Sequence, residues 1–319
     1  MITQRRLQHL LALVEHAHFG RAASALDISQ PALTKSIQAL ESELGVTLID
    51  RKHGAVGPTA FGELVIQRSK RMLTEEDELR RELALLAGLE AGSLKLALGP
   101  YPSVTSGYAA IARLLARHPK VGIAVHVAGW REVASRVLAR TVDLGIAEIS
   151  SVENDGQFAT ERLPPYHGRF FCRSGHPLLD GNPLTPQRLL AYPWIATRLP
   201  PRVAGGLPRP LGAAGTIDSS NGDFVPAVEI DVPMQLGTLL AGSDALTVAT
   251  LALMERELRS GEVVVVPMKI PSLQAGYGFI YLKDRSLAPA ALAYMAEVRA
   301  MEAGFVEREA ALAAEFGLI

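Results

Sequence analysis

Cysteine is almost absent from this chain of 319 residues, in which Cys172 is the single one. One cysteine cannot form a disulfide within the chain, which excludes both a secreted disulfide framework and a two-cysteine redox switch inside one copy. Long hydrophobic runs are missing too, since none approaches the roughly 20 apolar residues that span a bilayer. In the N-terminal segment, Glu15 and His16 break the apolar run, and no small-residue cleavage site follows. These absences favour a protein of the reducing cytoplasm that does not contact a membrane.

Neither sign of charge dominates, because 32 Lys and Arg stand against 33 Asp and Glu. Within residues 1–58, six bases and five acids leave a net charge of +1, so charge alone gives no sign of a nucleic-acid partner. The HExxH, GxxxxGKS/T, GxGxxG and GxSxG signatures of metal hydrolases, nucleotide-binding proteins and serine hydrolases are absent. Cys172 and His176 fit a buried strand and a surface turn better than a catalytic pair. We therefore predict no catalytic residue, no metal and no cofactor.

What the chain does contain is a dense pattern between Phe19 and Gly45. Residues 21–26 read as a short alanine-rich helix, and a turn leads to a second helix with Ser29 as its cap and Pro31 in its first turn. Gly45 ends that helix. An apolar stripe with spacings of four, three and four residues leaves the opposite face of the second helix free. Its members are Leu33, Ile37, Leu40 and Leu44.

The free face of the second helix carries side chains of the kinds that read base edges in DNA. Amides pair with adenine, lysine reaches guanine or phosphate, and the methyl group of threonine can touch thymine. An ordinary solvated surface carries the same residue types, so the face alone does not decide its role. Residues 46–58 then read as strand, turn and return strand, which together form a wing with basic residues at its tip. The predicted DNA contacts are Ser29, Gln30, Pro31, Ala32, Thr34, Lys35, Gln38, Arg51 and His53.

The stretch FGRAASALDISQPALTKSIQALESELGVTLIDR resembles the N-terminal domain of LysR-type transcriptional regulators, and Thr59, Ala60 and Gly62 continue the pattern. His18 departs from it, because the family usually has a small residue there, and so does Gly57-Pro58 before Thr59. The resemblance implies a winged helix-turn-helix that binds a pseudo-palindromic duplex site, a response to a small-molecule effector, and four copies in the assembly. Contact with the transcription machinery belongs to the same expectation.

A long helix follows, since from Thr59 to about Gly88 only Gly62, in the first turn, could break it. About 30 residues at 1.5 Å each make a rod about 45 Å long, which needs a partner. Every seventh position from residue 65 is apolar, which is the spacing of a coiled-coil seam and predicts dimerisation. These positions are Val65, Met72, Leu79 and Leu86. The alternative is a helix buried in a single core.

Strands and helices alternate through the second half, which predicts mainly parallel sheets covered on both faces. This half contains Asp143-Leu144-Gly145-Ile146-Ala147, Gly175-His176-Pro177-Leu178 and Ala241-Gly242 before an apolar strand. On these motifs it resembles the effector-binding domain of the same family, which is similar in fold to periplasmic solute-binding proteins. We thus predict an α/β chain made of a largely helical winged helix-turn-helix domain (1–58), a linker helix and hinge (59–92) and a two-lobed periplasmic-binding-protein-like effector domain (93–319). Lobe I would comprise about 93–163 and 268–319, and lobe II about 164–267. The segment 199–215, rich in proline and glycine, reads as a surface loop.

In two-lobed α/β domains, ligands bind outside the carboxyl ends of the strands. That rule selects as effector contacts Tyr101, Ser103, Trp130, Ile149, Thr197 and Arg198. Because Ser103 opens a helix and Arg198 could pair with an anion, a small carboxylate is the expected effector.

The prediction for the whole chain is a cytoplasmic, sequence-specific DNA-binding regulator whose effector binds between two lobes. It would dimerise through the linker helix and assemble further into a tetramer. Two alternatives belong to other classes. One is a solute-binding or ligand-sequestering protein without DNA regulation, against which the helix-turn-helix argues, and the other is an enzyme.

Overall fold

A computed structural model of the chain describes residues 2–50, 56–87, 93–231, 233–268, 270 and 272–318. The chain divides into two compact units, Met1–Leu83 and Ala84–Ile319. No helix in these described ranges is long and apolar enough to cross a membrane.

The first unit is built from three short helices, a small hairpin and the start of a long helix. Its elements are α1 (Gln4–His16), α2 (Phe19–Ala25), α3 (Gln30–Leu44), β1 (Ile49–Asp50), β2 (Gly57–Pro58) and α4 (Ala60–Ala87). Ser29 caps α3, since its hydroxyl accepts from the Ala32 amide at 3.4 Å, and Gly45 ends it with a left-handed φ of 70°. The core that these elements share contains Leu7, Leu10, Leu13, Ala22, Ala23, Leu33, Ile37, Leu40, Leu48 and Ile49.

The starts of α1 and α2 differ in how they are capped. Thr3 precedes α1, but its side chain makes no capping hydrogen bond. At α2, His18 takes the capping role, because its Nδ1 accepts from the amides of Gly20 at 3.0 Å and Arg21 at 3.3 Å. An imidazole nitrogen thus satisfies free helix amides as a serine hydroxyl would. This accounts for a large residue where the LysR pattern has a small one.

The hairpin of β1 and β2 is antiparallel and lies against the beginning of α4. Residues 51–55 between the strands, including the predicted DNA contacts Arg51 and His53, lie outside the described residues. Gly62 allows α4 to approach the hairpin, because a Cβ at this position would stand 2.1 Å from the Leu48 carbonyl oxygen. No other residue fits there without a backbone shift.

The surface of α4 differs from the predicted seam. Val65 packs against the core of the first unit, whereas Met72 and Leu79 are 56% and 57% exposed. The side chain of Leu86 is not among those that the structure describes. Five large apolar side chains in the described part of α4 are exposed, and we call them the α4 row: Phe61, Leu64, Met72, Leu79 and Leu83.

The second unit contains two five-stranded sheets, one in each lobe. Its strands are β3 (Ser93–Leu98), β4 (Gly122–Val127), β5 (Leu144–Glu148), β6 (Phe158–Arg162), β7 (Arg169–Arg173), β8 (Trp194–Ala196), β9 (Gly215–Ile217), β10 (Phe224–Pro226), β11 (Val228–Glu229), β12 (Leu246–Ala249), β13 (Val263–Val266) and β14 (Tyr277–Leu282). Its helices are α5 (Pro100–Pro102), α6 (Tyr108–Arg117), α7 (Trp130–Leu138), α8 (Pro186–Leu190), α9 (Pro201–Ala204), α10 (Leu236–Ala241), α11 (Glu255–Ser260) and α12 (Pro289–Glu315). A π-helical turn, Ser103–Gly107, joins α5 to α6.

The sheet of lobe I has the order β4-β3-β5-β14-β6, and that of lobe II the order β11-β8-β12-β7-β13. Both sheets are mixed rather than mainly parallel. In lobe I, β14 runs antiparallel to β5 and β6, and in lobe II, β7 runs antiparallel to β12 and β13. In each sheet the antiparallel strand is the first one after the chain crosses from the other lobe. The two crossings are therefore what makes the sheets mixed.

Two predictions about the lobes need correction. The helix α12 begins in the core of lobe I, with Tyr294 fully buried, but its end packs Leu312 into the core of lobe II. The range 268–319 therefore does not belong to lobe I alone. The segment 199–215 is not a plain surface loop, because it contains α9 and buries Val203 in the core of lobe II. Its apolar residues turn inward between the prolines and glycines.

Candidate functional site

The polar face of α3 is exposed, as its sequence pattern requires. Residues Ser29, Gln30, Pro31, Ala32, Lys35 and Gln38 are all exposed. Thr34 is only half-buried, and its hydroxyl donates to the Gln30 carbonyl at 3.0 Å, so that hydroxyl is already used within the helix. The face brings together amide, amine and hydroxyl groups on about two turns of helix, which is the geometry of a helix that enters a major groove.

Polar contacts fix α3 within the first unit. Arg6 on α1 donates to Glu43 at 2.6 Å, and His9 lies 2.7 Å from the Ser36 hydroxyl. Burial, and secondly the charge of Arg5, lowers the pKa of His9, which keeps this imidazole neutral. Together with the apolar stripe, these contacts hold the exposed face of α3 in one orientation.

The carboxylate of Glu41 joins α3 to the hairpin. Its Oε1 accepts from the amides of Leu48 at 2.8 Å and Ile49 at 3.1 Å. Two amides that enter β1 are thus satisfied by one side chain of α3. The start of the hairpin is therefore positioned by the same helix that carries the polar face.

Between the lobes of the second unit lies a cavity of about 410 Å³, which we call the cleft. Four predicted effector contacts line it, namely Tyr101, Trp130, Thr197 and Arg198. Ser103 and Ile149 are not among the lining residues. The Ser103 hydroxyl is buried and donates to the Pro100 carbonyl at 2.7 Å, and Ile149 packs into the core of lobe I. The π-helical turn directs Ser103 inward, which the strand-end rule does not foresee.

Arg198 does not offer a free guanidinium to a ligand. Its Nε donates to Glu229 at 2.7 Å and its Nη1 to Asp218 at 3.0 Å. Hydrogen bonds from Ser220, and then from Arg198, lower the pKa of Asp218 to about 2. Both carboxylates are hydrogen-bonded to the guanidinium of Arg198. The sequence-based prediction had this guanidinium bind the effector instead.

Two ion pairs join the lobes across the cleft. From lobe I, Arg131 donates to Asp223 of lobe II through Nε and Nη2, both at 2.8 Å, and the Asp223 side chain is fully buried. From lobe II, Arg202 donates to Glu148 of lobe I at 2.5 Å and 3.1 Å. Each pair is bidentate, which is the strongest arrangement of guanidinium and carboxylate.

A tyrosine makes a third link between the lobes. The Tyr101 hydroxyl, in lobe I, donates to the Val248 carbonyl of β12 at 2.8 Å. Burial raises the pKa of Tyr101 well above its ordinary value, so the phenol stays a neutral donor. These contacts, which the chain makes with itself, link the two lobes beside the cleft.

The sequence contained a signal for some of the missed residues. Glu148 is the last residue of β5, so the strand-end rule could have selected it. Tyr277 also lines the cleft, but it begins β14, and the rule for parallel strands does not select the first residue of an antiparallel strand. Arg202 lies in the segment taken for a loop.

The residues weighed for catalysis have structural roles. Burial raises the pKa of the Cys172 thiol to about 11, in spite of Arg173 beside it, and the thiol is fully covered. His176 is buried rather than on the surface, and its Nδ1 accepts from the Leu178 amide at 2.9 Å. Among the described residues, no group of three or more His, Cys, Asp or Glu could hold a metal ion.

Family models match both parts of the chain. Residues 4–63 match the model described as bacterial regulatory helix-turn-helix protein, lysR family, and residues 87–303 match the LysR substrate binding domain. The chain belongs to the LysR family. Its members are transcriptional regulators that bind DNA, oligomerise and respond to small-molecule effectors. The predicted family and fold class are confirmed.

Relatives and solved structures match this LysR chain over nearly its whole length. It is 36% identical to the SDS degradation transcriptional activation protein of Pseudomonas sp., over 90% of this chain and 92% of that protein. It is 31% identical to the transcriptional regulator GbpR of Azospirillum brasilense, over 93% of this chain and 85% of that protein. CbnR in complex with its target DNA aligns with a TM-score of 0.58 at 20% identity, over 94% of this chain and 100% of CbnR. A full-length OxyR variant from Pseudomonas aeruginosa aligns at 0.60 and 19%, over 95% of each chain. At these identities, the two structures show the fold alone.

Proposed function

We propose that this LysR regulator recognises a pseudo-palindromic duplex site through the exposed face of α3, read by two copies of the chain. The observation that supports this most is the exposure of Gln30, Lys35 and Gln38 on one face of a helix whose other face is fully packed. Two copies related by a two-fold axis read two half-sites, so the site should show the same symmetry.

Selection from a random duplex library tests this proposal, because the target sequence emerges from the selection itself. The wild-type protein should enrich a sequence with two related half-sites. Lys35→Ala or Gln38→Ala should weaken binding to that sequence by about 1 to 3 kcal/mol, while binding to unrelated duplexes changes much less if the side chain reads a base. Gln8→Ala, an exposed amide on α1, is the matched control and should bind like the wild type. Enrichment of no sequence, or equal losses in the control, would reject the role of α3.

We further propose that the cleft is the effector site, since it is a cavity between two lobes, where effectors and solutes bind in such folds. The expected carboxylate depended on Ser103 and Arg198. Because Ser103 is buried and Arg198 is paired, neither residue supports an anionic effector.

The remaining expectations form part of the same proposal. The α4 row would join two copies, and two such dimers would form the tetramer that the resemblance implies. The protein would work in the cytoplasm, where its DNA and the transcription machinery are. It would act without a cofactor and without catalysing a reaction. Support for the last point comes from the structural roles of Cys172 and His176.

A further inference from the structure

We propose that the cleft takes an uncharged, largely apolar ligand that carries a hydrogen-bonding group such as an alcohol, and that it selects against carboxylates. The inference rests on the proposed role of the cleft as the effector site. It depends on how the charges in the cleft are paired and on which polar groups are left over.

An anion would find no unpaired cation in the described lining of the cleft. The lining contains three arginines, and each has a carboxylate partner: Arg131 with Asp223, Arg198 with Glu229, and Arg202 with Glu148. Lysine is absent from the described lining. Five lining carboxylates against three arginines leave a net charge of −2, which repels an anion. The five are Glu132, Glu148, Asp223, Glu229 and Asp231.

A cation is not favoured either, because the carboxylates are used. Three of them pair with the lining arginines, and Glu132 accepts from Arg136 at 2.9 Å. Asp231 is exposed rather than enclosed. A charged ligand inside the cleft would have to compete with these ion pairs, and breaking the bidentate pair of Arg131 or Arg202 leaves a poorly solvated charge behind. A neutral ligand leaves every pair intact.

Neutral polar side chains are what the cleft leaves free. Thr197, Gln274 and Tyr277 line it, are half-buried, and make no side-chain hydrogen bond within the described part of the chain. Burial, followed by the negative charge that Tyr101 and Glu148 can carry, raises the pKa of Tyr277 well above its ordinary value, so its phenol remains a donor. An alcohol or carbonyl oxygen can accept from this phenol without bringing a charge into the cleft.

Apolar and aromatic side chains supply most of the remaining lining. They include Trp130, Tyr166, Leu199, Val203, Val248 and Leu273. The ring of Tyr166 is fixed edge-on against Phe305, with centroids 4.8 Å apart. Such walls favour an apolar or aromatic body, because its burial removes apolar surface from water. Together with the neutral donors, they define a ligand with an apolar body and one uncharged polar end.

Matched sets of small molecules test the charge preference directly. One set is 1-hexanol, hexanoate and hexylammonium, and another is benzyl alcohol, benzoate and benzylammonium. Binding of each to the full chain is measured by saturation-transfer NMR and calorimetry up to the solubility limit. We expect the alcohol of a set to bind at least about tenfold more tightly than its carboxylate and its ammonium, a difference of about 1.4 kcal/mol. Equal or tighter binding of a charged member, or no binding of either alcohol, overturns the proposal.

Variants of the cleft test the two parts of the argument separately. Tyr277→Phe should weaken alcohol binding several-fold, whereas Tyr281→Phe on the same strand, outside the lining, should not. The double variant Asp218→Asn with Glu229→Gln frees Arg198 and should raise carboxylate affinity about tenfold. Asp244→Asn, which removes an exposed pair with Arg173, is the control for a change of lobe charge alone. Unchanged carboxylate affinity in the double variant rejects the charge argument.

A second measurement on the same variants distinguishes a failure of this inference from a failure of the proposed function. Each variant is also tested for binding to the selected duplex. If the protein binds the duplex but binds a charged ligand more tightly than the alcohol of the same set, the proposed ligand class is wrong and the proposed DNA recognition is unaffected. If the wild type selects no duplex, the proposed regulator fails whichever ligand the cleft prefers.

Discussion

The α3 face and the cleft are the two regions of this LysR regulator to which we assign a function, and they treat their polar side chains in opposite ways. On α3, Gln30, Lys35 and Gln38 are exposed, and their side chains form no hydrogen bond or ion pair with the residues that the structure describes. In the cleft, Arg131 and Arg202 are paired with carboxylates of the other lobe, and Arg198 is paired within lobe II. The polar groups that an exposed helix face presents can be predicted from the sequence of that one helix. The groups that a cleft presents to a ligand can be named only when the ion pairs among its own side chains are known.

The α4 row extends this comparison, because its side chains form a second surface that is exposed in the described part of the chain. Changing both Met72 and Leu79 to Glu would place two charges in an apolar contact between copies. We expect the dimer to be lost outright, as measured by analytical ultracentrifugation, since unpaired charges are costly to bury. Gln67→Glu, an exposed position of the same helix, should leave the dimer intact. A dimer that survives the double change would place the interface elsewhere.

The cross-lobe pair of Arg131 and Asp223 should contribute more to stability than an exposed pair. Asp223→Asn removes the charge that a buried carboxylate offers to Arg131, and we expect the free energy of unfolding to fall by about 2 kcal/mol, because Arg131 is itself partly exposed. Asp244→Asn, in an exposed pair with Arg173, should cost at most about 0.5 kcal/mol. Chemical denaturation of the two variants measures the difference. Equal losses would show that the cleft pairs are ordinary surface pairs.

Glu302 contrasts with the paired carboxylates of the cleft. It is buried, and its Oε2 has no hydrogen-bond partner among the described atoms. Burial raises its pKa, and the nearby Ser106 offsets this only in part. The raised pKa means that the protonated form stabilises the fold at low pH and that this stabilisation is lost as the pH rises through the folded-state value. Glu302→Gln should therefore gain about 1 kcal/mol above neutral pH.

That gain should vanish as the pH falls below the ordinary value of 4.5, which thermal unfolding at several pH values can follow. Glu297→Gln, on the same helix, loses an ion pair with Arg117 and should show no gain at any pH. A gain for Glu302→Gln that does not depend on pH would contradict the assignment.

The cap at the start of α2 has an expected effect no larger than that of Glu302 and sharpens the comparison for the first unit. His18→Ala removes the acceptor for two helix amides and should cost about 1 kcal/mol of unfolding free energy. His18→Ser restores an acceptor of the usual kind and should recover most of that loss. If both substitutions cost the same in thermal unfolding, the ring acts through packing rather than capping.

Local patterns predicted much of the fold. The strands β5, β7, β12, β13 and β14 each lie over a short, largely apolar run of the sequence, because such a run fills one mostly buried strand. The stop of α3 at Gly45 and its cap at Ser29 are equally local. What needed the structure was non-local, such as the antiparallel strands at the two crossings and the second half of α12, which packs on the other lobe.

The candidate sites follow the same division. The residues of α3 were selected from one helix and are where the pattern put them. In the cleft, the strand-end rule found Tyr101, Trp130, Thr197 and Arg198 but missed partners more than 50 residues away, such as Arg202 for Glu148. It also chose Ser103, whose hydroxyl a π-helical turn directs inward. Pairing between distant side chains has no periodicity, so the sequence does not show it.

The covered thiol of Cys172 has a practical consequence. Because the side chain is fully buried and its pKa is raised to about 11, it offers little thiolate to electrophiles at neutral pH. A cysteine introduced at an exposed position of either lobe would then be the single reactive one in the chain. A fluorophore or spin label attached there would report on that position alone, without first removing the native residue.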